Sequence, residues 1–133
     1  MSRFGERSGP PRPAELGIGA VTDPARLAAA AQSVEAVTLA ESVIDYIVRL
    51  VRATRETPDL SSGASPRAAV LLAKAARARA ALDGRDYVVP DDVKQLATSV
   101  LRHRLLLSPA AEIEGKQVEA LVAGLIEQTE APR

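Results

Sequence analysis

Between Leu39 and Thr54 the apolar positions recur at spacings of three and four: Leu39, Val43, Ile44, Ile47, Leu50 and Val51, with Thr54 in the same stripe. That period predicts a helix with one wide buried face, ending near Arg55 ahead of Pro58. Thr38 is the expected cap, with Glu41 three residues on to complete a capping box. A second stripe, Val93, Leu96, Ala97, Val100, Leu101 and Leu105, follows Pro90-Asp91-Asp92, whose acids suit the positive end of a helix dipole. A third, Val118, Leu121, Val122, Leu125 and Ile126, predicts a last amphipathic helix that fades at Thr129 to Arg133.

Two further segments are rich in alanine rather than striped. Asp23 can cap and Pro24 can open a helix running through Arg26 to about Val37. Ser65 and Pro66 do the same for a helix reaching Leu82, with Gly84 as its C-terminal stop. The segments Glu56 to Ala64 and Ser108 to Gly115 read as loops, and Tyr87-Val88-Val89 as a brief extended piece. Residues 1–21, broken by Gly5, Gly9, Pro10, Pro11 and Pro13, read as a tail or linker remnant. The fold expected for residues 22–133 is one all-α domain, a bundle of four or five helices.

Composition narrows the function. Aromatic residues make up 2% of the 133 positions, so alanine, leucine and valine must build the core. Seventeen basic and seventeen acidic residues cancel, so no global field points to nucleic acid or an anionic membrane. With no cysteine, thiolate metal sites and cysteine nucleophiles are excluded, and His103, the one histidine, cannot form a His cluster. No stretch approaches the roughly 20 apolar residues of a membrane span. No secretory signal pattern opens the chain, and a soluble cytoplasmic protein is expected. The sequence has no G-x-x-x-x-G-K-[S/T] phosphate loop and no strand ending in paired acids for magnesium. Gly17 and Gly19 lack a third glycine and a preceding strand, so they carry no weight.

Gly63-Ala64-Ser65-Pro66-Arg67-Ala68 is the sharpest local feature. It puts Arg67 in the first turn of a helix, with Ser65 as cap and Pro66 as a rigid start. Free N–H groups and the positive dipole end there favour an anion, and a guanidinium adds a fork matched to phosphate oxygens. The dipole disfavours a cation at that position, which suggests that Arg67 serves something outside the helix. The alternative from chemistry alone is a solvated arginine after an ordinary capped turn.

The run G-A-S-P-R-A and the alanine-rich helix after it resemble the C-terminal lid of MoxR-type AAA+ ATPases. So do Gly84-Arg85-Asp86-Tyr87-Val88-Val89-Pro90-Asp91-Asp92-Val93 and Leu101-Arg102-His103-Arg104-Leu105. The upstream segment from Tyr46 to Glu56 and the ending from Leu107 to Arg133 match the same family, so the resemblance covers residues 22–133. It implies a helical lid that follows an α/β nucleotide-binding domain in a chaperone-like ring. Arg67 would be the sensor-2 arginine that reaches the γ-phosphate of ATP bound with magnesium, and Ser65 and Pro66 would position it. Implied partners are the AAA+ core domain, neighbouring subunits of the ring, and a von Willebrand A-type protein; nucleic acid and membrane are not implied. Without Walker A, Walker B or an arginine finger, the chain is not expected to hydrolyse ATP on its own. One departure is Val89, where the family often has threonine or serine; a side chain that cannot cap predicts a slightly looser helix start.

Arg102-His103-Arg104 closes the fourth helix, where cations can bond the last carbonyls; the alternative is a role at the nucleotide or the ring interface, with Arg104 next in line after Arg67. Lys74, Arg77 and Arg79 read as a solvated surface, or as a face toward a neighbouring subunit or nucleic acid. Tyr46 and Tyr87 are expected at the core edge with their hydroxyls at water. A stand-alone helical module that binds a protein or nucleic acid without nucleotide is the competing function.

Overall fold

The computed structural model describes residues 13–132. After a 3₁₀ turn at Pro13–Leu16 come α1 (Pro24–Glu35), α2 (Glu41–Glu56), β1 (Leu60–Ser62), α3 (Pro66–Leu82) and α4 (Pro90–Leu101). A 3₁₀ turn (Arg102–Arg104), β2 (Leu106–Leu107), α5 (Pro109–Ile113) and α6 (Val118–Gln128) complete the described chain. The all-α bundle is as expected, with α5 as an additional short helix inside the presumed loop 108–115. Ser108 caps it, accepting a hydrogen bond from the Ala111 N–H. Most of the expected tail lies outside the described residues.

Helix α3 is the central post, packed against α1, α2 and α4. Ala68, Leu72, Ala76 and Ala80 repeat every four residues along it, and all are fully buried. Three alanines in that row let neighbouring backbones approach closely, while Leu72 fills the space they leave. Around it pack Tyr46, Ile47 and Leu50 of α2, Val93, Ala97 and Leu101 of α4, and Val122 of α6. The helix ends as its glycine predicts: Gly84 takes φ +74°, its N–H bonds Ala81, and the Arg85 N–H bonds Ala80 at 2.9 Å.

Several expectations are corrected. Thr38 does not cap α2, because both its backbone groups are engaged elsewhere. Its N–H donates to Asp86 at 2.8 Å and its carbonyl accepts from Val88 at 3.0 Å, a parallel bridge to the extended piece at 87. Helix α2 therefore starts two residues later, with Ala40 at the cap position and no capping box. Tyr46 is fully buried instead of reaching water, and its hydroxyl has no hydrogen-bond partner among the described residues. Burial pushes the phenol up from its ordinary value. Ile44, in contrast, is half exposed although it lies in the apolar period.

The presumed loop 56–64 contains β1, which pairs antiparallel with β2 through Leu60–Leu107 and Ser62–Leu106. Two short strands of this kind have too little apolar pattern to be read from sequence. Their pairing brings the end of α2 and the start of α3 beside the segment that follows α4.

Candidate functional site

The start of α3 is built from behind by α2. Thr54, fully buried in the last turn of α2, donates its hydroxyl to the Val51 carbonyl at 2.6 Å and accepts the Ala64 N–H at 2.9 Å. The neighbouring Arg55 donates its Nε–H to the Ala64 carbonyl at 2.6 Å. Both backbone groups of Ala64, itself fully buried, are thus fixed to one turn of α2. Gly63 permits this contact. A Cβ there would lie 2.5 Å from the Thr54 carbonyl oxygen and 2.8 Å from the Arg55 Cα, closer than real carbons approach.

From that anchored residue the chain enters α3. Ser65 occupies the cap position with extended backbone, but its side chain makes no capping hydrogen bond. The Ala68 N–H is already taken by the Ser65 carbonyl at 2.9 Å, so the hydroxyl is left over. Pro66 takes the first helical position as expected and has no N–H to satisfy. Arg67 is exposed, and neither its guanidinium nor its own N–H has a hydrogen-bond or ion-pair partner among the described residues. One free peptide N–H and a free guanidinium in the same turn form a donor set for an oxyanion.

The stripe containing Arg67 continues along α3 through Val70, Lys74 and Arg77, at spacings of three, four and three. These last three line one side of an open groove of about 300 Å³, whose other side is Ile44 and Val48 of α2. Ile44, Val48 and Val70 are 43, 42 and 55% exposed, an apolar surface continuous with the helix start. Lys74 is exposed as expected. Arg77 is half buried, and its Nε has no partner among the described residues, so it is not the freely solvated residue the sequence suggested. Arg79 is on the outside, bonded to Asp83 at 3.1 Å.

Arg104 is placed differently. Its guanidinium donates to the Val100 carbonyl at 2.8 Å and contacts His103, closing α4 in the structural role open to it. Arg102 reaches Glu119 of α6 at 3.6 Å.

The start of α4 is tighter than Val89 led us to expect. Asp92 accepts the Val89 N–H at 2.9 Å and a two-pronged bond from Arg85 at 2.7 and 2.8 Å. Arg85 also reaches Asp83 and the Tyr87 carbonyl. Asp92 is 3% exposed. The Arg85 hydrogen bonds, with the Val89 N–H adding to them, hold its carboxyl below the usual carboxylate range against the cost of burial. Arg85 is raised from its ordinary value by the same bonds to Asp92.

Sequence reasoning placed Pro66 and Arg67 in the first turn of α3, as the structure does, but missed the residues that hold that turn. Thr54 read as one more member of a stripe, Arg55 as a helix end and Gly63 as a turn former. A threonine and an arginine ending an apolar helix, nine residues ahead of a G-A-S-P run, was the available signal. Among the described residues, no group of three or more His, Asp or Glu could hold a metal ion, and no helix is long and apolar enough to cross a membrane.

Comparison with known proteins adds to this geometry. Residues 52–125 match the AAA lid domain family. The chain is 43% identical over 101 residues to the uncharacterized protein YeaC of Bacillus subtilis, covering 76% of this chain and 32% of that protein. It is 37% identical over 101 residues to chaperone MoxR1 of Mycobacterium tuberculosis, covering 69% of this chain and 27% of that one. A crystal structure of a Cytophaga hutchinsonii protein described as an ATPase superposes with a TM-score of 0.72 at 33% identity, over 77% of this chain and 34% of that one. The chain therefore spans about a third of the length of these relatives.

Proposed function

Because this chain belongs to the AAA lid domain family and is of the MoxR type, we propose that it is the nucleotide-sensing lid of a ring-forming ATPase, with Arg67 as its sensor-2 arginine. The observation that carries this reading is the exposed Arg67 beside its own free N–H, at a helix start fastened from behind. Such a turn supports contact with the γ-phosphate of ATP bound with magnesium on a nucleotide-binding domain of the same polypeptide. A guanidinium on the transferring phosphoryl group stabilises the charge spread over its oxygens. The apolar groove running on from Arg67 suits burial against that domain, so rotation of the lid would carry Arg67 toward or away from the phosphate. Neighbouring subunits of a ring and a von Willebrand A-type partner follow from the same reading, as does a cytoplasmic location.

In the chain joined to its nucleotide-binding domain, Arg67→Ala is expected to reduce ATP turnover about a thousandfold and to leave the melting temperature unchanged. Arg67→Lys should restore only part, since an ammonium lacks the planar fork. Arg79→Ala, which removes an exposed cation bonded to Asp83, is the control and should be mild. Wild-type turnover in a folded Arg67→Ala enzyme would overturn the sensor role and favour a helical module that works without nucleotide.

A further inference from the structure

Thr54 and Arg55 belong to α2, yet they hold the residue from which α3 departs. We propose that the pair are positioning residues for Arg67, a role that rests on the sensor-2 reading above. Only Ser65 and Pro66 separate Arg67 from Ala64. Pro66 fixes one of the intervening torsions by its ring, and the Ser65 carbonyl is engaged with the Ala68 N–H. Little freedom is left between the anchor and the guanidinium stem. The Ala64 N–H is held by Thr54 and its carbonyl by Arg55, at 2.9 and 2.6 Å, so the peptide units on both sides of the Ala64 Cα are held and its two torsions are fixed. With either bond alone, the other peptide unit would be free to swing. The Thr54 hydroxyl is oriented in turn by its bond to the Val51 carbonyl, so it can only accept from Ala64.

The clamp joins two helices that share the groove wall. Any tilt of α2 against α3 is transmitted to the first turn of α3 through Ala64, and so to the direction of Arg67. Gly63 sets the closeness of the approach, because no side chain fits against the Thr54 carbonyl.

The test uses the chain joined to its nucleotide-binding domain, with steady-state ATP turnover and thermal unfolding as readouts. Thr54→Val keeps the volume and removes the hydroxyl; Thr54→Ser keeps the hydroxyl. Arg55→Lys keeps the charge and removes the Nε donor at an exposed residue, where folding is not at risk. Thr54→Val and Arg55→Lys are each expected to lower kcat about ten- to a hundredfold, the cost of a catalytic group displaced by an ångström or so. Thr54→Ser should recover most of the loss. In an Arg67→Ala background, neither change should lower turnover further, because residues acting through one contact are not additive.

Loss of turnover in Arg67→Ala with wild-type kcat in folded Thr54→Val and Arg55→Lys would overturn the positioning role and leave the sensor reading intact. Additive losses in the Arg67→Ala background would overturn it too, since the clamp would then act on something else. Wild-type turnover in Arg67→Ala would remove both together. If Thr54→Val does not fold, Arg55→Lys decides alone.

Discussion

At the start of α3, proline follows Ser65 and the Ala68 N–H bonds the Ser65 carbonyl at 2.9 Å; at the start of α4, proline follows Val89 and the Asp92 N–H bonds the Val89 carbonyl at 3.0 Å. The backbone is the same, but the charges are used in opposite ways. Helix α4 places an acid where the dipole favours it, buries it, and bonds it to the Val89 N–H and to Arg85. Among the described residues the Asp91 N–H stays free there as the Arg67 N–H does at α3, but the Asp91 side chain is an acid, which repels an anion. Helix α3 places a cation where the dipole disfavours it, exposes it, and leaves it without a partner among the described residues. A helix start that satisfies itself serves the fold. One that is fastened from behind and left open in front is available to an anion.

The largest effect in this comparison should come from the closed start. Asp92→Ala strands the Val89 N–H and takes from Arg85 its two shortest bonds, and we expect a loss of about 2 kcal/mol in unfolding free energy, read from denaturant midpoints. A neutral result would mean that Arg85 and Val89 find other partners and that α4 is no better secured than α3.

Acid sharpens the same contrast. The Asp92 carboxyl is held below its unfolded value, chiefly by the Arg85 hydrogen bonds. Its contribution is therefore complete above an unfolded pKa of about 3.9 and is lost as pH falls through the folded value. The wild-type melting temperature should fall as pH drops below about 4, and less steeply in Asp92→Asn, which has no such proton to take up. Equal slopes would show that other carboxyls, Asp83 among them, carry the acid sensitivity; its carboxyl is also lowered, first by its bond to Arg85.

The smallest effect is expected at Ser65, whose hydroxyl makes no cap bond. Ser65→Ala should cost less than about 0.5 kcal/mol, whereas Asp23→Ala at the start of α1 should cost about 1 kcal/mol. Asp23 accepts the Arg26 N–H at 2.9 Å. A loss at Ser65 as large as that at Asp23 would show that its hydroxyl caps α3 in solution.

Periodicity and turn chemistry made most of the helices legible. The α2 stripe, the Pro24, Pro66 and Pro90 starts and the Gly84 stop are local: each depends on residues within a turn or two. Arg67 was legible for the same reason, since its place in a first turn follows from Ser65 and Pro66 alone. The family resemblance then gave that place a meaning. What the sequence could not show are the pairings across many residues. Thr38 looked like a cap because its neighbours fit a capping box, yet its backbone is taken by Asp86 and Val88 from far along the chain. Tyr46 looked like an edge residue because tyrosine usually keeps its hydroxyl wet, yet α2 turns it into the core. Asp92 looked like a dipole acid and became the buried half of an ion pair with Arg85.

The sequence by itself determined where α1, α3 and α4 begin, where α3 stops, and that a cation stands at the first turn of α3. Those are short-range matters of torsion, capping and apolar period. The tertiary structure decided what that cation is attached to. Thr54, Arg55 and Gly63 become a clamp only once α2 and α3 lie side by side. A hydrogen bond between residues ten apart depends on how two helices pack, and no local pattern encodes that distance.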